Sequence, residues 1–258
     1  MFLITGVITA DTPSPSPSTT DAHTYYVSST GDDANDGLTP EKAWKSIERV
    51  NHWKYSAGDR ILFEGGKTFT GVLAFVAQTV TSAPGKFITI SSYGDGRATI
   101  GGESGGMIAV GVAGFRIENI NFKGKSPTSG GWGICFMNEN PTTVSGIRIS
   151  DVEISGYSYG IYLQTGAIPS AITDIRIERL STHDNGLGMS FFGHYQQPAA
   201  LNKNDYAIRD IYVGQSQFYN NTGFNMTNFG AGFTMMNVKN VLIENNVIHD
   251  NGGDNLPP

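Results

Sequence analysis

Two short runs in this chain of 258 residues repeat a combination that can move protons. His183-Asp184-Asn185-Gly186 and His249-Asp250-Asn251-Gly252 each set an imidazole beside a carboxylate. Imidazole titrates near neutral pH and carboxyl groups serve as acids or bases, so the pairing suits general acid–base work. If the two runs stand two strands apart on one edge, Asp184 and Asp250 are roughly 9.6 Å apart at ordinary strand spacing. Carboxyl groups about 6.5–9.5 Å apart leave room for a water, the arrangement of inverting glycoside hydrolysis. One aspartate then donates a proton and the other activates the water. Asp254 is a further acid close by. The same residue types are also ordinary turn chemistry, and the pattern alone leaves both readings open.

A second set lies between Phe192 and Tyr206. Lys203 could remove the proton beside a uronate carboxyl, the step a lyase needs. His194, Tyr195, Asp205 and Tyr206 offer polar groups and rings for holding a sugar. A decorated surface loop would contain the same residues. Arg116, Arg148 and Arg176 recur at one position of a repeat described below. They could grip an anionic polymer, with Arg148 and Arg176 as substrate contacts. Glu118, Ser150 and Glu178 stand two residues on, so exposed ion pairs are the competing reading. Asp32, Asp33, Asn35 and Asp36 carry the oxygens a hard cation such as Ca2+ prefers, though not at EF-hand spacing. They fit a polar turn equally well. Tyr157, Tyr159 and Tyr162 either line a groove or pack.

The repeat is what positions these groups. Phe115, Ile147, Ile175, Ile211 and Val241 each begin a copy with apolar residues at offsets 0, 2, 5 and 7. Ile88-Thr89-Ile90 with Tyr93 is a weaker early copy. Offsets 0 and 2 alternate as a strand does; the step from 2 to 5 breaks that alternation, as a corner would. A third short strand follows at Ile134, Ile161, Met189 and Phe233, each preceded by glycine. Three short strands per copy, at spacings near thirty residues, describe the coils of an all-β, single-stranded, right-handed parallel β-helix. Asn185, Asn221 and Asn251 fall at one offset, where stacked coils would let their amides bond as a ladder. Thr39-Pro40-Glu41 resembles a helix start, and Trp44, Ile47 and Val50 follow at helical spacing. This predicts an N-terminal capping helix ending near Asn51.

Composition agrees. Glycine is abundant and charge sparse, which suits many turns. A net charge of −6 without a Lys/Arg cluster excludes a nucleic-acid partner. The lone cysteine, Cys135, lies in an apolar run and reads as core. Residues 1–10 resemble a truncated secretory signal, and residues 11–23 form a Pro/Ser-rich linker. Residues 24–258 form the β-helix, expected to be incomplete at its C-terminal end. No apolar run is long enough for a transmembrane segment. A secreted or cell-surface monomer is the expectation.

From Tyr25 to the end the chain resembles secreted right-handed β-helix proteins of the pectate-lyase-like superfamily. The resemblance rests on Tyr25-Tyr26-Val27-Ser28, Gly31-Asp32-Asp33-Ala34-Asn35-Asp36-Gly37, Trp44-Lys45-Ser46-Ile47 and Gly58-Asp59-Arg60-Ile61-Leu62-Phe63. It implies a carbohydrate-active enzyme cleaving a polysaccharide, as lyase or glycoside hydrolase, with Ca2+ as a family option. The alternative is a non-catalytic binding or adhesive solenoid. The Asp-Pro-His, Gly-His-Gly and Arg-Ile-Lys motifs that mark particular activities in this superfamily are absent.

Overall fold

The computed structural model describes residues 22–81, 83, 85–128, 130–194, 206–223 and 230–252. The signal-like residues 1–10, most of the Pro/Ser stretch, and Tyr195, Lys203, Asp205 and Asp254 lie outside them.

Winding follows directly from the repeat. Phe115 pairs with Ile147, Ile147 with Ile175, Ile175 with Ile211 and Ile211 with Val241, all in parallel. Ile88 joins the same row beside Phe115. Ile134, Ile161, Met189 and Phe233 form a second row. Among the described residues twelve strands make one parallel sheet and six make another. The result is a parallel β-solenoid of about six turns. Apolar side chains at the inward positions form one continuous core from Tyr25 to Phe218. Cys135 is buried as expected, and burial pushes its thiol well above the ordinary range.

The corner between offsets 2 and 5 has a simple cause. Asn119, Asp151, Arg179, Gln215 and Asn245 all occupy offset 4 with φ between 48 and 56°. A left-handed residue there turns the strand without a loop. Glycine before the third strand also has a cause. A Cβ on Gly133, Gly160 or Gly188 would collide with the carbonyl oxygen of Gly160, Gly188 or Gly232 on the next coil. That wall closes only around hydrogen.

Two expectations need correction. The capping helix is not evident. Pro40–Lys42 is a single 3-10 turn, and the α-helix is confined to Ile47–Asn51. Between them Trp44 is drawn into extended pairing: its N–H donates to the Tyr26 carbonyl at 2.9 Å, and its carbonyl accepts from Ser28 at 2.8 Å. Its ring stacks on Tyr25 at 4.9 Å. Tertiary pairing thus overrides the helical spacing of Trp44, Ile47 and Val50, although all three are buried. In the early copy, offset 5 is filled by Ala98 rather than Tyr93. Tyr93 instead pairs with Glu64 and meets Tyr26 edge-on.

Candidate functional site

The outward face of the large sheet carries two adjacent columns. Asn121, Glu153, Ser181, Gln217 and Val247 form one. Lys123, Ser155, His183, Tyr219 and His249 form the other. A groove of about 470 Å³ opens over their first three coils, lined by Asn121, Lys123, Lys125, Glu153, His183 and Asp184 among others.

His183 is the hinge of this groove. Its Nδ1 donates to Asp184 Oδ2 at 2.7 Å, and its Nε2 faces Glu153 Oε1 at 3.4 Å. The imidazole is mostly covered, while both carboxylates reach water. Asp184 is aimed by its corner, where φ is +53°. Behind it, Asn185 anchors that corner in the core. Its Oδ1 accepts from the Tyr157 N–H at 3.0 Å, and its Nδ2 donates to Asn221 Oδ1 at 3.2 Å. Asn221 continues to Asn251 Oδ1 at 2.8 Å. The asparagine ladder is therefore present, with Asn185 and Asn221 fully buried.

His183, Tyr219 and His249 stack ring on ring down the second column. Centroids are 4.7 and 5.4 Å apart, and the planes differ by 8 and 3°. His249 Nδ1 donates to Asp250 Oδ2 at 2.7 Å, repeating the His183–Asp184 unit two coils on. Asp250 does not line the groove. The structure thus gives Asp184 a different carboxylate partner from the expected one: Glu153, one coil away across His183. Glu153 was missed because it lies thirty residues before His183 in the chain. Its signal was present in the repeat, as the single acid of its column.

Other expected residues fall elsewhere. His194 is buried, with its N–H on Thr165 Oγ1 and its Nδ1 donating to the Gly166 carbonyl at 3.1 Å. Its imidazole is therefore turned into the fold. Tyr206 lies against the Lys239 ammonium, 5.7 Å from it. Arg116, Arg148 and Arg176 do form one column, but each has a carboxylate. Arg148 clamps Asp174 with two bonds of 2.7 Å, Arg176 clamps Glu178 likewise, and Arg116 lies 3.8 Å from Glu118. Hydrogen bonds from Arg176 hold Glu178 below the usual carboxylate range. The ion-pair reading describes this column. Tyr157 packs inside the core, and burial pushes its hydroxyl up. Tyr159 and Tyr162 meet at 4.8 Å on the second sheet.

The carboxylates of the acidic segment near the N-terminus accept hydrogen bonds from the chain itself. Asp33 accepts from Lys45 N–H, Ser46 N–H and Ser46 Oγ. Asp32 and Asp36 accept from Ala34 and Leu38. Their oxygens are turned to the chain's own donors. Among the described residues no cluster of three or more His, Cys, Asp or Glu is placed to hold a metal. No described helix is long and apolar enough to cross a membrane.

Comparison with known proteins gives the following. No protein-family model matches the chain. A lacto-N-biosidase of Bifidobacterium longum subsp. longum is 41% identical over 80 residues, 30% of this chain and 5% of that protein. The crystal structure of GH136 lacto-N-biosidase from Eubacterium ramulus superposes with a TM-score of 0.64 at 21% identity, covering 76% of this chain and 41% of that one. An alginate lyase from Paenibacillus sp. str. FPU-7 gives 0.47 at 16% identity, covering 79% and 74%, too distant to bear on function. The likeness to the Eubacterium protein is one of fold. The chain spans less than half the length of either lacto-N-biosidase matched.

Proposed function

We propose that this chain forms an acid–base site that cleaves a glycosidic bond, centred on Glu153, His183 and Asp184. It does so as an exported, monomeric, right-handed β-helix. One observation carries the reading: a single imidazole bridges two carboxylates at a solvent-open groove. The bridge limits the separation of the nearest carboxylate oxygens to at most about 8 Å, an upper limit that admits the carboxyl spacing of a glycoside hydrolase.

Roles follow from the hydrogen bonds. With Nδ1–H committed to Asp184, the lone pair of Nε2 faces Glu153. In this proposal the His183–Glu153 pair holds the proton for the leaving oxygen and delivers it from the Glu153 side of the groove. Asp184, with the Nδ1–H on it, activates water or steadies positive charge at the sugar carbon. Lys123 and Lys125 line the opposite wall and would meet polar groups of the saccharide. Tyr195, Asp205, Tyr206 and Lys203 extend the substrate contacts in this proposal. Arg148 and Arg176 contribute to them only when their carboxylate partners yield. The Bifidobacterium protein matched over 80 residues is named a lacto-N-biosidase, which supports hydrolysis over elimination.

The test is a panel of neutral and acidic saccharides, with and without calcium, followed for new reducing ends and for unsaturated uronates. Reducing ends without unsaturation, lost in Glu153→Gln, are expected. Unsaturated product would instead establish a lyase, with Lys203 or His183 as its base. Saccharide binding without any product would establish a non-catalytic solenoid.

A further inference from the structure

The ring stack beneath the groove serves no core. Tyr219 is partly exposed, and its ring lies between two imidazoles on the outer face of the sheet. Outward aromatic rings in adjacent coils meet face to face because coil spacing, about 4.8 Å, matches the 4.7 Å between His183 and Tyr219. The contact nevertheless constrains His183. Rotation about the last side-chain bond of histidine is soft, and a ring pressed flat against one face removes that freedom. Ser155 precedes His183 in its column, and several charged groups stand around it. Glu153 stands on the preceding coil and Asp184 beside it. Lys123 and Lys125 lie across the groove, with Lys125 paired to Glu103. His249 with Asp250 lies beyond Tyr219. Asp184 and Glu153 meet the ring at its two nitrogens, and Tyr219 covers one of its faces.

We propose that Tyr219 is a positioning residue, whose stacked ring holds the His183 imidazole in the one orientation that joins Glu153 to Asp184. The idea rests on the acid–base reading above. Its physical content is narrower: Asp184 selects the Nδ1–H form, and the plane in which the ring reaches Asp184 depends on a ring at position 219, not on the phenol hydroxyl.

Two readouts separate it from a merely structural role. Nitrogen–proton correlation of the His183 ring reports the tautomer without any substrate. A single Nδ1–H form is expected in the wild type and in Tyr219→Phe, and a mixture in Tyr219→Leu. On a cleaved saccharide, Tyr219→Leu should lose roughly tenfold in kcat, the order of one aromatic pair, with KM unmoved. Its pH–rate profile should shift, and Tyr219→Phe should recover most of the loss. Thermal unfolding checks that Tyr219→Leu is folded; if it is not, Tyr219→His, which keeps a flat ring, carries the test. A single tautomer in Tyr219→Leu would overturn the proposal, as would Tyr219→Phe being as impaired as Tyr219→Leu. If no saccharide is cleaved, the acid–base reading fails while the ring measurement still decides the role of Tyr219.

Discussion

At His183 and at His249 the chain folds in the same way. Each imidazole Nδ1 lies 2.7 Å from the next aspartate, each aspartate sits at φ near +50°, and each following asparagine enters the buried ladder. The surroundings differ. One coil before His183 the neighbouring column holds Glu153; one coil before His249 it holds Gln217. The groove walls, Lys123 to Pro127 and Ser155 to Gly156, belong to the first region. A repeated motif is thus a scaffold that presents an imidazole and a carboxylate. In the proposed mechanism chemistry needs a second acid and a groove to coincide with it.

The comparison breaks first at Glu153. Replacing it with Gln, which makes the first region resemble the second, is expected to lower kcat by about 10²–10⁴ with thermal stability unchanged, measured by initial rates and calorimetry. A variant that keeps full activity would leave the two regions equivalent. The ladder behind both regions is next. Asn221→Ala strips the acceptor from Asn185 and the donor from Asn251. Unfolding in urea should show a loss of about 2–4 kcal/mol, the cost of buried groups left without partners. Asp250→Asn then sharpens the contrast: activity should stay within about twofold, since no second acid accompanies it. A loss equal to that of Asp184→Asn would return the two aspartates to a shared role. The smallest effect lies outside both regions. Arg179 makes two 2.8 Å bonds to Asp151 and holds that carboxyl below its usual range. The stabilisation is present above the ordinary aspartate value of 3.8 and disappears as pH falls through the lowered one. Arg179→Ala should therefore cost at most about 1 kcal/mol at neutral pH and nothing in strong acid, read from urea midpoints at both pH values.

The coils were legible in the sequence because inward apolar positions, the pre-strand glycines and the asparagines all keep one period. Ile88, Phe115, Ile147, Ile175, Ile211 and Val241 fall in a single row as their spacing requires. The helix expected over residues 39–51 is interrupted, because pairing of Trp44 with Tyr26 and Ser28 is a long-range event with no local signature. Within the site, His183 and Asp184 stand out as a motif, whereas Glu153 becomes a partner only once Ser155 is set beside His183. His194 reads as an exposed polar residue in sequence, yet its backbone N–H is taken by Thr165 and its ring by the Gly166 carbonyl. Periodic features survive projection onto one dimension; partnerships between columns do not.

Glu153, His183 and Tyr219 belong to three successive windings of the backbone. Neither the first nor the second of these alone contains a working centre. A solenoid grows by adding neighbours to neighbours, so the three groups come together only when the winding that carries Tyr219 has closed. Recovery of the proposed activity after dilution from denaturant would therefore report that closure, whichever coil forms first.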